Sequence, residues 1–298
     1  MKSIGSYIGS FILSVLLIFA LIASLAVTVV SVFAKPDNIV SLMEQKNING
    51  IVYSELEKYF TSRQNDTGIP ANVYMTAIDD ELIDYVMYME INDGFSCLRN
   101  GTQAETELYS SFVRKDNSVD KALSDFYSDY AESIGYEKDA KYDEKLSEAQ
   151  KNAEKVIADY CDVFKFDAMI SHGIMKKLSP FYNKLPTVQL VVYGATVMLM
   201  LLMILVNIKS TSATLYWIGI CSLISGIICA IPCIYLKATD YFSSFTIKQP
   251  QIYTAYTSVM ISATDTLLKY SVILASISII FIVGYVLKIK NQGRNTGK

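Results

Sequence analysis

Four long apolar runs divide the chain, and a long polar segment separates the first run from the other three. The runs cover residues 11–34, 187–208, 213–236 and about 267–287, and Lys269 is the one charged side chain within them. A helix needs roughly 20 apolar residues to cross about 30 Å of hydrocarbon. The pattern therefore predicts four transmembrane helices.

The polar segment, residues 35–186, is predicted to form a separate helical domain, which we call the insert domain. Its apolar residues recur every three or four positions, which is the spacing of one helix face. Two such series are Val52, Leu56, Tyr59 and Phe60, and Val119, Leu123, Phe126, Tyr130 and Ile134. A segment of about 150 residues can bury its own core. The predicted fold class is all-α: four transmembrane helices with a large all-helical extracytoplasmic domain between spans 1 and 2.

Local signals predict where several helices of the insert domain begin. A helix is expected to start at Pro36, because proline is favoured in the first turn. Asp79 is a predicted N-cap, with Asp80 and Glu81 in the first turn, where carboxylates interact favourably with the positive end of the helix dipole. A shorter helix is expected around residues 108–113.

The longest helical pattern in the insert domain begins near Lys141 and continues to about Leu178. Pro180 and Pro186 are expected to interrupt it before the second apolar run, because proline disfavours helical backbone in the residue before it. Pro250 is expected to start another helix, which continues without a break into the fourth apolar run. That extension would give the insert domain a surface on which to pack.

Three short motifs near the start of the chain resemble an uncharacterised class of bacterial four-span membrane proteins. They are Lys35-Pro36-Asp37, Val52-Tyr53-Ser54-Glu55-Leu56, and Gly68-Ile69-Pro70 ahead of the helix start at Asp79. The resemblance covers about the first 100 residues and implies a helical extracytoplasmic domain after the first span. The order of spans is also similar to that of the FtsX permease-like division proteins, although the N-terminal arm here is only about ten residues long.

The basic residues at the end of the chain favour a topology with both termini in the cytoplasm. Four spans place the termini on the same side, and the tail carries Lys288, Lys290, Arg294 and Lys298. The expected segments are a cytoplasmic N-terminus (1–10), spans at 11–34, 187–208, 213–236 and 267–287, the extracytoplasmic insert (35–186), a partly helical extracytoplasmic loop (237–266) and a cytoplasmic tail (288–298). The alternative is a signal peptide cleaved before Lys35, which would leave three spans.

The insert domain is strongly acidic, and its charge narrows the choice of partners. Residues 36–186 contain 16 Lys and Arg against 27 Asp and Glu, a formal charge of −11, whereas the whole chain carries −3. This balance argues against nucleic-acid binding. It favours cations, basic peptides or a basic partner protein, and the alternative is that the charge serves solubility alone.

Seven carboxylates form the candidate acidic interaction surface. They are Asp79, Asp80, Glu81 and Asp84 at one helix start, and Asp125, Asp129 and Glu132 on one stripe of another helix. Either group could ligate a hard cation through its oxygens. Neither has the spacing of an EF-hand loop, so the alternative is a pair of solvated helix faces. The sequence predicts no metal and no cofactor.

The five cysteines fall into two groups with different expectations. Cys97 and Cys161 in the insert domain are a candidate disulfide if this domain faces an oxidising compartment, and the alternative is two buried thiols. Closing this loop of about 65 residues would stabilise the domain by about 4 kcal/mol. Cys221, Cys229 and Cys233 lie in the third apolar run. They are expected to pack as small residues, with Gly219 and Gly226 beside them, and soft-metal binding is the alternative.

No catalytic or nucleotide-binding motif accompanies these features, and His172 is the single histidine. Ionisable residues inside a membrane usually mark transport pathways, so their near absence from the four runs disfavours a coupled transporter. The leading prediction is a multi-pass cell-membrane protein that works without catalysis, as a partner-binding or assembly module, and that could form homo-oligomers. The alternative is a permease-like or channel-forming subunit, and an enzyme acting at the outer surface ranks third.

Overall fold

The computed structural model describes residues 4–101 and 118–295, with side chains for residues 6–101 and 118–291. Within these ranges the regular secondary structure is helical, and there is no strand. It divides into two compact units. The first unit comprises residues 1–34, 184–244 and 260–298, and the second comprises residues 35–183 and 245–259. The all-α prediction is confirmed.

The first unit contains the apolar helices. They are α1 (Ile4–Phe33), the larger part of α9 (Ile174–Val206), α10 (Thr211–Ala238) and the larger part of α11 (Pro250–Asn295), with a 3-10 turn at Tyr241–Ser244. All four helices are long and apolar enough to cross a membrane. The prediction of four such helices is confirmed, and α11 begins at Pro250, as its pattern indicated.

Polar side chains join α1 to α9 within the first unit. The hydroxyls of Ser24 and Thr196 lie 2.9 Å apart, and those of Thr28 and Tyr193 lie 2.6 Å apart. Near the other end of α1, the buried Asn207 amide just beyond α9 donates to Ser10 Oγ at 2.8 Å. Hydrogen bonds of this kind hold helices together where water does not compete for the polar groups.

Small residues on α10 allow close contact with α11. A Cβ added at Gly226 would lie 2.9 Å from the carbonyl oxygen of Ser271, and one at Gly219 would lie 3.0 Å from the side chain of Ile282. The thiol of Cys221, on the same helix, is buried 3.5 Å from the Ser14 carbonyl oxygen. These contacts agree with the packing role that the sequence favoured for the small residues of the third apolar run.

The second unit consists of shorter helices around an aliphatic core. They are α2 (Pro36–Gln45), α3 (Ile48–Thr67), α4 (Ala71–Met75), α5 (Asp80–Asn100), α6 (Ser118–Ile134), α7 (Ala140–Cys161) and α8 (Phe166–Ser171), with the starts of α9 and α11. Its most buried side chains include Ile48, Val52, Leu56, Ile83, Ile91, Leu123 and Ile157. The helix predicted around residues 108–113 lies outside the described residues.

The helix predicted from Lys141 to Leu178 is instead broken twice, and its breaks are not at the prolines. α7 ends at Cys161, and after α8 Gly173 adopts φ +68°, a left-handed conformation that glycine adopts without strain. α9 then runs through Pro180 and Pro186. Both prolines lie at exposed positions, which lowers the cost of the hydrogen bond that each removes. The predicted interruptions at Pro180 and Pro186 are therefore wrong.

Aromatic residues beside α8 connect three parts of the second unit. The ring of Phe166 lies directly against Gly94 on α5, where no Cβ could be accommodated without movement. Phe164, just before α8, contacts the ring of Tyr256 on α11 at 5.5 Å between centroids. The Tyr256 hydroxyl donates to the Phe164 carbonyl oxygen at 2.7 Å. The start of α11 is thus fixed to the helical core of this unit.

Candidate functional site

A groove rich in tyrosine lies on the second unit, among residues that the structure describes. It has a volume of about 410 Å³, within the range of known ligand sites. We call it the tyrosine groove. Its lining comes from the end of α3 (Thr67, Gly68, Ile69), from α6 (Phe126, Tyr127, Tyr130, Ala131, Ile134), from Tyr136, and from the start of α7 (Lys141, Tyr142, Lys145).

Two local turns shape the groove between α6 and α7. Gly135 ends α6 with φ +66°. Asp139 then caps α7, its carboxylate accepting from the Tyr142 backbone N–H at 2.9 Å. The Tyr142 ring meets Tyr127 edge to face, with centroids 6.1 Å apart. The turn and the cap therefore hold the start of α7 beside the final turns of α6.

The apolar face of α6 is buried in its first half and largely open in its second. Val119 and Leu123 are buried, whereas Tyr130 is 58 % exposed and Ile134 is 56 % exposed. The sequence pattern put Val119, Leu123, Phe126, Tyr130 and Ile134 at the spacing of one helix face, and the structure contains that helix. The groove leaves Tyr130 and Ile134 on the open part of this face. Periodicity identifies the apolar face of a helix, but it does not say what covers that face.

Among the described residues, the charged side chains that line the tyrosine groove are Lys141 and Lys145, and both are exposed. The nearby Glu132 is paired with Lys138, with 3.5 Å between Oε1 and Nζ. Burial, with a smaller effect of Glu148, raises the pKa of the Tyr127 phenol. The groove therefore presents aromatic rings and two amines on a domain that is acidic as a whole.

A second groove of about 510 Å³ shares Thr67 with the first. It lies between α3 and α7, and its aromatic residues are Tyr59, Phe60, Tyr74 and Tyr160. The Arg63 guanidinium sits 5.9 Å from the centre of the Tyr59 ring. Arg63 is also paired with Asp66 at 3.3 Å, so this groove combines charges of both signs. The two grooves therefore meet at the end of α3.

The predicted acidic residues at the start of α5 lie at exposed positions. Asp79 is the N-cap, accepting from the Leu82 backbone N–H at 2.8 Å, and the capping prediction is confirmed. Asp80 and Glu81 occupy the first turn. Asp84 lies within 3.4 Å of the Asn49 amide, and partial burial, with Glu44 and Asp80, raises its pKa.

The other three predicted acids, Asp125, Asp129 and Glu132, are exposed along α6. Spacings of four and three residues place them on one face of that helix. None of the seven predicted acids lines either groove. The structure thus places them on two helices, α5 and α6, and their role as an interaction surface stays a prediction.

Cys97 on α5 and Cys161 at the end of α7 are both buried in the structure, and no disulfide joins them. Burial raises the pKa of Cys161 well above its ordinary value, with Glu90 and Asp162 contributing. A thiol held protonated in this way is a poor nucleophile. The geometry matches the alternative of two buried thiols, and the disulfide stays a prediction that non-reducing electrophoresis can test.

Three carboxylates outside the predicted set come together beside Cys161. Oxygens of Glu90, Asp162 and Asp167 all lie within 4.8 Å of one another, and the first two residues are buried. Hard cations accept such ligands. Both oxygens of Asp162 already accept backbone N–H groups, from Phe166 at 2.8 Å and Asp167 at 3.1 Å. We therefore assign Asp162 to capping α8, a role that residue spacing alone did not reveal.

Asp162→Asn is expected to reduce the pH dependence of the second unit's stability. Burial raises the pKa of Asp162, although the N–H groups of Phe166 and Asp167 oppose the shift. An acid with a raised folded-state pKa holds more protons when folded. The free energy of unfolding therefore rises as the pH falls from neutral through that pKa. It levels off when the pH reaches about 3.8, the ordinary pKa of an aspartate.

Hydrogen exchange of α8 between about pH 5 and pH 7 measures this dependence, after correction for the intrinsic exchange rate. Asp125→Asn, at an exposed position on α6, is the control and should retain the wild-type slope. Burial also raises the pKa of Asp167, so part of the slope should survive in the Asp162 variant. An unchanged slope in Asp162→Asn would contradict this assignment.

Comparison with protein families, curated proteins and solved structures finds no match to this chain. The class of protein is therefore defined by the structure itself. Over residues 4–101 and 118–295 the chain is all-helical, with four helices long and apolar enough to cross a membrane. The resemblances noted from its sequence stay hypotheses.

Proposed function

We propose that the protein is a multi-pass cell-membrane protein with both termini in the cytoplasm. In this proposal the second unit lies outside the cytoplasm and binds a partner without catalysing a reaction on it. The observation that carries the proposal is the tyrosine groove, where Tyr130, Ile134 and Tyr136 leave large side chains exposed. The four membrane-length helices and the basic residues of the tail support the topology.

Tyrosine is well suited to binding a partner on such a surface. Its ring contributes a large apolar contact, its hydroxyl can donate or accept, and its two side-chain torsions limit the entropy lost on binding. Aromatic residues are enriched at the centres of protein interfaces and often carry most of the binding energy. The rings of Phe126 and Tyr130 are already nearly parallel, with centroids 6.3 Å apart. The groove therefore offers a partly ordered surface before any partner arrives.

The chemistry of the groove favours binding over catalysis. Among the described residues, its lining contains phenols, two amines, a hydroxyl and apolar groups, with no carboxylate, imidazole or thiol. A hydrolytic site needs a general base or an activated nucleophile held close to the bond that breaks. The described lining of the tyrosine groove has none of the side chains that usually serve as such a base or nucleophile. Its aromatic walls are instead suited to binding a partner.

Tyr130→Ala is expected to reduce recovery of a bound partner by about tenfold or more, as expected for an interface anchor. The tagged full-length protein is crosslinked in intact cells, solubilised in mild detergent and purified, and co-purifying proteins are quantified by mass spectrometry. Tyr88→Ala is the matched control, because Tyr88 is an exposed tyrosine on α5 outside both grooves. Equal recovery by wild type and both variants would refute the groove as the binding site.

A further inference from the structure

The two lysines of the tyrosine groove are positively charged, whereas the domain around them is negatively charged as a whole. Residues 36–186 carry a formal charge of −11, but within the part of the chain that the structure describes the charged side chains on the groove lining are Lys141 and Lys145. They lie four residues apart on α7, so both are on the same face of that helix. Lys138 is engaged by Ser128 at 2.7 Å and by Glu132 at 3.5 Å. Glu132 is thereby partly neutralised beside the groove.

The rings of the groove bring an apolar contact close to this positive charge. Lys141 and Lys145 flank Tyr142, which packs on Tyr127, while Tyr130 and Ile134 line the groove from α6. Long amines such as these bind a carboxylate as point charges. A ligand complementary to the groove therefore carries an aromatic or aliphatic group beside a negative charge.

The shape of the groove favours a short segment of a partner protein over a large flat interface. Its volume of about 410 Å³ accommodates a few side chains, and its junction with the second groove at Thr67 extends the surface in one direction. Strand addition needs an exposed sheet edge, and the described ranges 4–101 and 118–295 contain no strand. Binding through side chains on aromatic walls is the mode that remains available.

We propose that the tyrosine groove binds an acidic linear peptide of a partner protein, with an aromatic or aliphatic residue seated among the tyrosines and a neighbouring carboxylate on Lys141 and Lys145. This inference rests on the proposed function and names the chemistry of the partner at the same site. It differs from the basic partner that the overall charge of the insert domain suggests. The local lining decides which ligand fits, and the acidic surroundings disfavour acidic ligands elsewhere on the domain.

A random peptide library tests this preference directly. The full-length protein in nanodiscs is panned against phage-displayed dodecapeptides, and the enriched consensus is made as a fluorescein-labelled peptide. We expect the consensus to place Asp or Glu close to an aromatic or aliphatic residue. Lys141→Glu with Lys145→Glu should weaken binding of the labelled peptide by about tenfold, because each attraction becomes a repulsion. Added salt should reduce the difference in affinity between this variant and wild type.

Two further double variants distinguish the effect of the groove lysines on binding from the effect of the overall charge. Lys121→Glu with Lys151→Glu makes the same change in net charge at exposed lysines outside both grooves, and it should change the affinity by less than about twofold. Lys141→Gln with Lys145→Gln should give an intermediate loss, which keeps the test valid if the full reversal fails to fold. Equal weakening by both glutamate pairs, a basic or uncharged consensus, or no enrichment would overturn the acidic-peptide inference.

The outcomes for the inference and for the proposed function can be told apart. A consensus without acidic residues that still loses binding in Tyr130→Ala would refute the acidic preference and leave the groove as the binding site. Enriched peptides that bind equally to wild type, Tyr130→Ala and the lysine variants would refute both. If peptides are not enriched but partner recovery from cells depends on Tyr130, the acidic peptide fails while the proposed function stands.

Discussion

Gly94→Ala is expected to destabilise the second unit, although alanine is the better helix former. A Cβ at this position on α5 would overlap the ring of Phe166 on α8. Replacing glycine within a helix by alanine ordinarily stabilises it by about 1 kcal/mol. Overpacking a filled contact costs about 1–3 kcal/mol. The steric cost should exceed this gain, because the Phe166 ring also contacts Phe164, with 5.6 Å between ring centroids.

A double-mutant cycle tests this expectation, because the effect of Gly94→Ala on stability should change sign when the Phe166 ring is removed. In a Phe166→Ala background the space opposite residue 94 is empty, so Gly94→Ala should become neutral or stabilising by up to about 1 kcal/mol. Hydrogen exchange of the α5 amides in the full-length protein gives the free energy of opening in all four variants. Destabilisation of the same size in both backgrounds would show that Phe166 does not pack on Gly94.

Gly226→Leu is expected to separate α10 from α11 in the first unit. A Cβ at residue 226 would lie 2.9 Å from the Ser271 carbonyl oxygen and 3.3 Å from the Ala275 backbone nitrogen. These atoms belong to the α11 backbone and cannot rotate aside, so the helices must move apart. Overpacking that shifts a backbone costs about 1–3 kcal/mol and occasionally more. Gly226→Ala should cause a smaller loss of the same kind.

Gly194→Leu is the matched control for this substitution. Gly194 lies on α9, another of the apolar helices, and a Cβ there would meet no atom within 4 Å. The same change of side chain should therefore be tolerated at that position. Thermal stability in detergent, followed by size-exclusion chromatography after heating, measures both variants against wild type. Equal stability of Gly226→Leu and Gly194→Leu would contradict the close packing of α10 on α11.

The sequence predicts the features of this fold that depend on local pattern. The four apolar runs identify the long helices, because crossing hydrocarbon demands an uninterrupted apolar length. The N-cap at Asp79 follows from its position ahead of an acidic first turn, and the structure contains that hydrogen bond. The helix start at Pro250 is likewise found where the pattern indicated. The cap and the helix start depend on residues within about one or two helical turns, and the long helices depend on one uninterrupted stretch of sequence.

Features that depend on contacts between distant parts of the chain were not predictable from the pattern. Phe126, Tyr130 and Ile134 have the spacing of a core face, and only the placement of α3 and α7 shows that this part of the face is open. The contact of Phe166 with Gly94 joins residues far apart in sequence. Asp162 could be recognised as a cap only once α7 was known to end at Cys161. The tyrosines themselves were the available signal, since their hydroxyls make them less suited than leucine to a closed core.

Photo-crosslinking at residue 130 in living cells tests the central claim most directly, because it reports contact at the tyrosine groove in the native membrane. A photoreactive phenylalanine replaces Tyr130 in one variant and Tyr88, an exposed tyrosine outside the grooves, in the other. We predict that illumination produces a discrete adduct with a second protein from residue 130, and none from residue 88. Adducts of equal yield at both positions, or none from residue 130, would contradict the claim.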